Sequence, residues 1–295
     1  MSRVHSALAG SIPTAQADGS PDALTVLDLF SGIGGFSLGL ERAGMETVAF
    51  CEISPKCRHL LATHWPTVPC FEDVTTLTGD QVGPVDVICG GFPCQDISLA
   101  GRGAGLAGDR SGLWSEYARL VRELRPSFVI VENVSALLGR GLGDVLGDLA
   151  SLGYDAWWDC IPASAAGAPH RRDRVWIVAY SRSEQHEGFG DALRRAAASG
   201  LHQAFAANAD QGRSLVNASG GRHGASDRPL SPRWDGALDA GWWSAEPDVG
   251  RVADGVPARV DRLHGLGNAV VPQIPEILGR AILSARAALQ QRAAA

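Results

Sequence analysis

From residue 24 to residue 180, short apolar runs alternate with segments whose apolar positions recur every three or four residues. The runs are "LTVLDL", "TVAFCE", "VDVICG", "FVIVEN", "YDAWWDCI" and "RVWIVAY". A short run that is apolar throughout reads as a strand hidden on both faces. Between the runs lie "GGFSLGLERAG", "SPKCRHLLATHW", "SGLWSEYARLVRELR" and "GLGDVLGDLASLG", whose spacing predicts amphipathic helices. This alternation predicts an α/β fold, a mostly parallel sheet with helices on both faces. Such sheets bind ligands beyond the carboxyl ends of their strands. That rule gathers three strand ends at one rim: the chain from Asp28, the chain around Cys94, and Glu132-Asn133.

The pattern changes at about residue 181. Apolar periodicity fades, and Gly, Ser, Asn, His and Arg dominate as far as about residue 248. "NADQGR" (208–213) and "NASGGR" (217–222) repeat one motif, read either as chance in a biased segment or as two turns each projecting an arginine. Trp234, Trp242 and Trp243 mark a return to packing, and an apolar helix is predicted from about Val271 to Gln290. The expected organisation is a flexible leader (1–20), a main domain (21–180), an irregular polar insertion (181–257) and a segment returning to the main domain (258–295).

Composition narrows the classes. The chain has 295 residues, 45% apolar and 20% charged, with no apolar run long enough to span a membrane. The first twenty residues lack the apolar core of a signal peptide, so a cytoplasmic protein is expected. The six cysteines form no C-x-x-C pair and no zinc spacing, which predicts free thiols and no metal. A net charge of −6 argues against a protein that coats nucleic acid indiscriminately. Yet Arg171 to Arg233 holds ten arginines against six acids, which predicts a local positive surface.

Four stretches carry candidate chemistry. In "DLFSGIGGFSLGLERAG" (28–44) a strand end meets a glycine turn and then a helix. Gly32 and Gly35 would let a ligand approach the backbone, and Glu52, twenty residues beyond Gly32, could accept from both hydroxyls of a ribose. The pattern is G-x-G-G and not G-x-G-x-x-G, which favours a nucleoside without a diphosphate. Asp73 in "FEDV" could accept from an adenine amino group. In "GGFPCQDIS" (90–98) Cys89 sits within the strand, whereas Cys94 is displayed behind Pro93, as a nucleophile or as an ordinary loop residue. Glu132 in "VIVENV" leaves an apolar strand, where its raised pKa would suit an acid, or it caps the next helix. Arg172 and Arg174 in "GAPHRRDRVWIVA" alternate in phase and face one side, for a ligand or for solvent.

Taken in order and together with "LGNAVVPQI" (266–274), these motifs resemble the DNA (cytosine-5)-methyltransferases of the bacterial and phage type. The resemblance covers about residues 24–180 and 258–290. It implies a Rossmann-like sheet that binds S-adenosylmethionine and methylates carbon 5 of a cytosine flipped out of duplex DNA. It assigns Asp28, Phe30, Gly32, Gly35, Glu52, Ile53, Asp73, Pro93 and Asn268 to the cofactor. Cys94 becomes the nucleophile at carbon 6, Glu132 the acid at ring nitrogen 3, Arg174 a contact to the base carbonyl and Arg172 a support of the loop or a phosphate. Gln95, Ser98 and Arg102, in a glycine-rich loop that can close as a lid, are expected on DNA, as are Arg213 and Arg222.

The chain departs from the family pattern at His170, where glutamine is usual, and in a short recognition region. The resemblance also implies a monomer on double-stranded DNA, with or without a cognate restriction endonuclease. Two other readings are a tRNA methyltransferase and a relative that binds without turnover. The first lacks its usual cysteine-phenylalanine-threonine signature here. The second conflicts with the presence of both Cys94 and Glu132.

Overall fold

The structure is a computed structural model that describes residues 22–93, 112–168, 172–182, 188–218 and 269–294. The elements are β1 (Thr25–Leu29), α1 (Gly35–Ala43), β2 (Glu46–Cys51), α2 (Pro55–His64), β3 (Cys70–Phe71), α3 (Gly79–Val82), β4 (Val87–Gly90) and α4 (Gly112–Leu124). They continue with β5 (Phe128–Val134), α5 (Leu137–Arg140), α6 (Leu142–Ser151), β6 (Tyr154–Pro162), β7 (Asp173–Ser181), α7 (Phe189–Ala218) and α8 (Gln273–Ala294). Every strand expected from the apolar runs is present.

The seven strands form one sheet in the order β3-β2-β1-β4-β5-β7-β6. β1, β2, β3, β4 and β5 run parallel to one another, whereas β7 lies antiparallel between β5 and β6. The order reverses between β1 and β4, the switch point at which doubly wound sheets open a crevice. Alternate residues of each strand enter opposite cores. Leu27, Ile88, Val129, Val131 and Ile177 pack with Trp114, Tyr117, Leu120, Val145 and Leu149 from α4 and α6. Val26, Val87, Ile130, Trp176 and Val178 pack with Phe36 and Leu40 of α1 and with α7 and α8.

The chain after residue 181 is more regular than its polarity suggests. Phe189, Leu193, Ala197 and Leu201 recur every four residues, are all buried, and seat the first half of α7 on the sheet. α8 lies between α7 and α1, burying Ile274, Leu278, Ile282 and Leu289. The expectation of an irregular insertion from 181 is therefore corrected over 189–218, and "NADQGR" belongs to a helix and not to a turn.

α8 and α1 meet closely. A Cβ on Gly39 would lie 2.2 Å from the Pro272 carbonyl oxygen, and one on Gly35 would lie 2.5 Å from that of Val270. Neither leaves room for a methyl group. Gly35 thus serves this seam. Among the described residues no helix is long and apolar enough to cross a membrane.

Candidate active site

Two groups of side chains converge at the carboxyl rim. The first surrounds the β1–α1 turn. Phe30 (φ 53°), Gly32 (φ 56°) and Gly34 (φ 85°) take left-handed conformations that fold the chain tightly from strand to helix. A Cβ built on Gly32 would meet nothing within 4 Å, so the turn leaves an open cradle there. The Gly32 N–H donates to Glu52 Oε2 at 2.7 Å, and the Ser54 N–H donates to Glu52 Oε1 at 2.7 Å. Glu52 is almost buried, yet each carboxylate oxygen has a further lone pair for a hydroxyl. Ile53 beside it is 74% exposed, an apolar surface with no partner in the core.

Asp73 follows β3 and closes the same rim. Its Oδ1 accepts from the Thr75 N–H at 2.9 Å and from the Thr75 hydroxyl at 2.8 Å. These bonds favour the carboxylate and hold its pKa below the usual range. Phe30 stacks on Tyr117, with ring centroids 6.4 Å apart, and Tyr117 hydroxyl donates to the Ile88 and Ile130 carbonyls at 3.2 Å.

Asp28 is fully buried, and its Oδ2 accepts from the Ser37 hydroxyl at 2.8 Å. Its Oδ1 makes no hydrogen bond among the described residues. Burial raises its pKa to about 7, against the opposing bonds from Ser37. Asp28 braces α1 beneath the turn, on the sheet face that α1 covers. Sequence could place it at a strand end but not on a side of the sheet.

The second group joins β4, β5 and β7. Glu132 stands opposite Trp176 and Val134 opposite Arg174 in the antiparallel register, which makes Glu132 and Arg174 diagonal neighbours. Arg174 Nε lies 2.9 Å from Glu132 Oε1, with the Glu132 side chain 12% exposed. Burial raises the Glu132 pKa, while Arg174 and then Arg172 pull it back. The net direction is upward, as for an acid that can hold a proton. Burial and the neighbouring Arg174 charge together press the Arg172 guanidinium below its usual range. Arg172 also takes a positive φ of 34°, a strained conformation for a non-glycine residue.

This pair adjoins the chain leading to Cys94. A Cβ on Gly91 would fall 2.8 Å from Glu132 Oε2, so a side chain there would push the Glu132 carboxyl aside. The Asn133 side-chain amide donates to the Phe92 carbonyl at 3.1 Å, which ties the end of β5 to the segment before Pro93. Pro93 is exposed at the rim. Cys89 is fully buried with its thiol raised well above the ordinary range, an inert core cysteine as its strand position implies.

Cys94, Gln95, Ser98, Arg102, His170, Arg222 and Asn268 lie outside the described residues, as does the expected leader. Arg213 lies on α7, with its side chain outside the description. Sequence reasoning missed Asn133, although it adjoins Glu132, and Arg58 in the first turns of α2. A cation near a helix N-terminus opposes the helix dipole, and that was the available signal for a local acceptor.

The sheet order, with its reversal between β1 and β4, and the helices on both faces define a Rossmann-like α/β protein. The chain matches the family model of C-5 cytosine-specific DNA methylases over residues 24–220. It belongs to that family. It is 35% identical over 164 residues to the Type II methyltransferase M2.BsuMI of Bacillus subtilis (strain 168), across 53% of this chain and 42% of the relative. It is 36% identical over 167 residues to the Type II methyltransferase M.Eco47II of Escherichia coli, across 54% of this chain and 40% of the relative. The matched part thus spans about two fifths of the length of these relatives. Among solved structures, the S. pombe Dnmt2 methyltransferase aligns with a TM-score of 0.47 and 20% identity, over 56% of this chain and 51% of that one.

Proposed function

We propose that the protein transfers a methyl group from S-adenosylmethionine to carbon 5 of a cytosine in a specific duplex DNA sequence. The observation that carries this reading is the Glu132–Arg174 pair, set against the Gly90–Pro93 segment that leads into Cys94. Family membership supports cytosine as the base this pair serves.

The cofactor pocket fits on the chain's own terms. The open cradle at Gly32 admits a ligand backbone, the Glu52 carboxylate can accept from a ribose diol, and Ile53 offers an apolar face to a purine. Asp73, held as an anion, can accept from an exocyclic amino group, while Phe30, Pro93 and Asn268 complete the pocket. S-adenosylmethionine, when bound, supplies an electrophilic methyl group. No metal is required.

Cys94 attacks carbon 6 of a flipped-out cytosine as a thiolate and forms a carbon–sulfur bond. The electron pair displaced from the 5,6 double bond is drawn toward ring nitrogen 3, which takes a proton from Glu132. Arg174 orients the Glu132 carboxyl and donates to the base carbonyl, and Arg172 holds the adjoining loop or a phosphate. Carbon 5 is then nucleophilic enough to accept the methyl group. Loss of the carbon 5 proton and expulsion of the Cys94 thiolate restore aromaticity. Gln95, Ser98 and Arg102 contact the DNA around the flipped base. The recognition region is assigned within 181–257, beyond the buried Phe189–Leu201 face of α7, with Arg213 and Arg222 as contacts to bases.

The test incubates the protein with tritiated S-adenosylmethionine and either duplex DNA or tRNA, with Cys94→Ala alongside. Label in DNA that disappears with Cys94→Ala supports the reading. Label that survives the substitution excludes the covalent route, and label in tRNA alone excludes DNA as the substrate.

A further inference from the structure

Arg58 belongs to no role so far described, yet its guanidinium is bonded to both loops that border the proposed nucleoside pocket. Its Nη1 donates to the Glu52 carbonyl at 3.1 Å and to the Ile53 carbonyl at 2.8 Å. Its Nη2 lies 2.6 Å from Glu72 Oε1, one residue before Asp73. The first loop carries the acid and the exposed apolar residue, and the second carries Asp73. Backbone bonds join the two segments at the Phe50 N–H, which donates to the Pro69 carbonyl, and at the Glu52 N–H, which donates to the Phe71 carbonyl, both at 2.9 Å.

We propose that Arg58 is a positioning residue that sets the spacing of Glu52, Ile53 and Asp73 around the nucleoside of the methyl donor. The inference rests on the reading of that rim as the cofactor pocket. Two carbonyls turned toward one guanidinium fix two successive peptide planes. With those planes set, the Glu52 side chain turns in toward Gly32 and the Ile53 side chain turns out. The planar fork makes this possible, since one ammonium cannot satisfy two carbonyls and a carboxylate in the same geometry. The Arg58–Glu72 ion pair contributes little stability alone, because Glu72 is 74% exposed on its side chain. Its use is geometric.

The test measures binding of S-adenosylhomocysteine and of adenosine by titration calorimetry to the full chain, for wild type, Arg58→Ala, Arg58→Lys and Glu72→Gln. Methyl transfer is followed in parallel. Loss of charge-assisted bonds to both carbonyls should weaken S-adenosylhomocysteine and adenosine by the same factor, about tenfold, in Arg58→Ala. KM for S-adenosylmethionine should rise to match, with kcat changed less than about twofold, since Arg58 touches no reacting group. Arg58→Lys should fall between, and Glu72→Gln should show a smaller loss with an unaltered melting temperature. Equal binding by wild type and Arg58→Ala overturns the proposal. So does a loss in Arg58→Ala that Arg58→Lys and Glu72→Gln, both folded, do not share in part. A wild type that binds neither ligand instead refutes the cofactor pocket itself.

Discussion

Replacing Asp28 by asparagine should change how stability depends on pH, and the size of the change follows from where the carboxyl sits. Asp28 is fully buried, with one oxygen bonded to Ser37 and the other making no hydrogen bond among the described residues. Its pKa rises from 3.8 to about 7, with burial the largest cause and Glu52 adding to it. Below about pH 4 the folded and unfolded chains both hold the proton. As pH rises toward about 7 the unfolded chain releases it while the folded chain keeps it, so stability falls through this window. Above that the loss is complete. A shift of about three units at about 1.36 kcal/mol each gives a total near 4 kcal/mol. Asparagine keeps the shape and an acceptor for Ser37 but cannot ionise. Urea unfolding of both proteins from pH 4.5 to 8.5 should show wild type losing about 3–4 kcal/mol relative to Asp28→Asn as pH rises, with equal m-values. Two curves that stay parallel across that range would refute the argument, because Asp28 would then ionise in the folded protein at an ordinary pH.

Glu132→Gln should lower kcat by roughly 10²- to 10⁴-fold, the usual worth of a positioned acid, while calorimetry finds S-adenosylhomocysteine binding unchanged. Arg174→Met removes the cation that pulls the Glu132 pKa down, so the pH–rate profile should hold to higher pH on its alkaline side while its maximum falls. Gly39→Ala drives a methyl group against the Pro272 carbonyl and should cost about 1–3 kcal/mol in denaturant unfolding, with α8 losing amide-exchange protection first. Leu193→Ala should cost about 2–5 kcal/mol, as for a core leucine; a surface-sized effect would mean that α7 is not seated on the sheet.

Most of the sheet was legible because its strands are apolar on both faces, a pattern that survives without knowledge of their neighbours. "FVIVEN" and "RVWIVAY" could be read one at a time. Their antiparallel register could not, and it is this register that makes Glu132 and Arg174 diagonal partners. α7 escaped notice because alanines and arginines flank its core positions, although Phe189, Leu193, Ala197 and Leu201 carry a clear four-residue period. Asp28 shows a different limit. A strand end faces the rim, but each of its side chains also belongs to one side of the sheet, and only the packing of α1 decides which side is sealed.

The seam between α7 and α8 bears on how such a protein could change its target. The buried residues Phe189, Leu193, Ala197 and Leu201 of α7 and Ile274, Leu278, Ile282 and Leu289 of α8 lie in one cluster, on either side of the 219–268 stretch in the sequence. The entropy of closing a loop grows only with the logarithm of its length, so doubling that stretch would cost about 0.6 kcal/mol. Natural variation can therefore rewrite or lengthen it at almost no expense to the sheet. On the function proposed above, the helix pair would act as a socket, and a new DNA specificity could be fitted to an unchanged catalytic body.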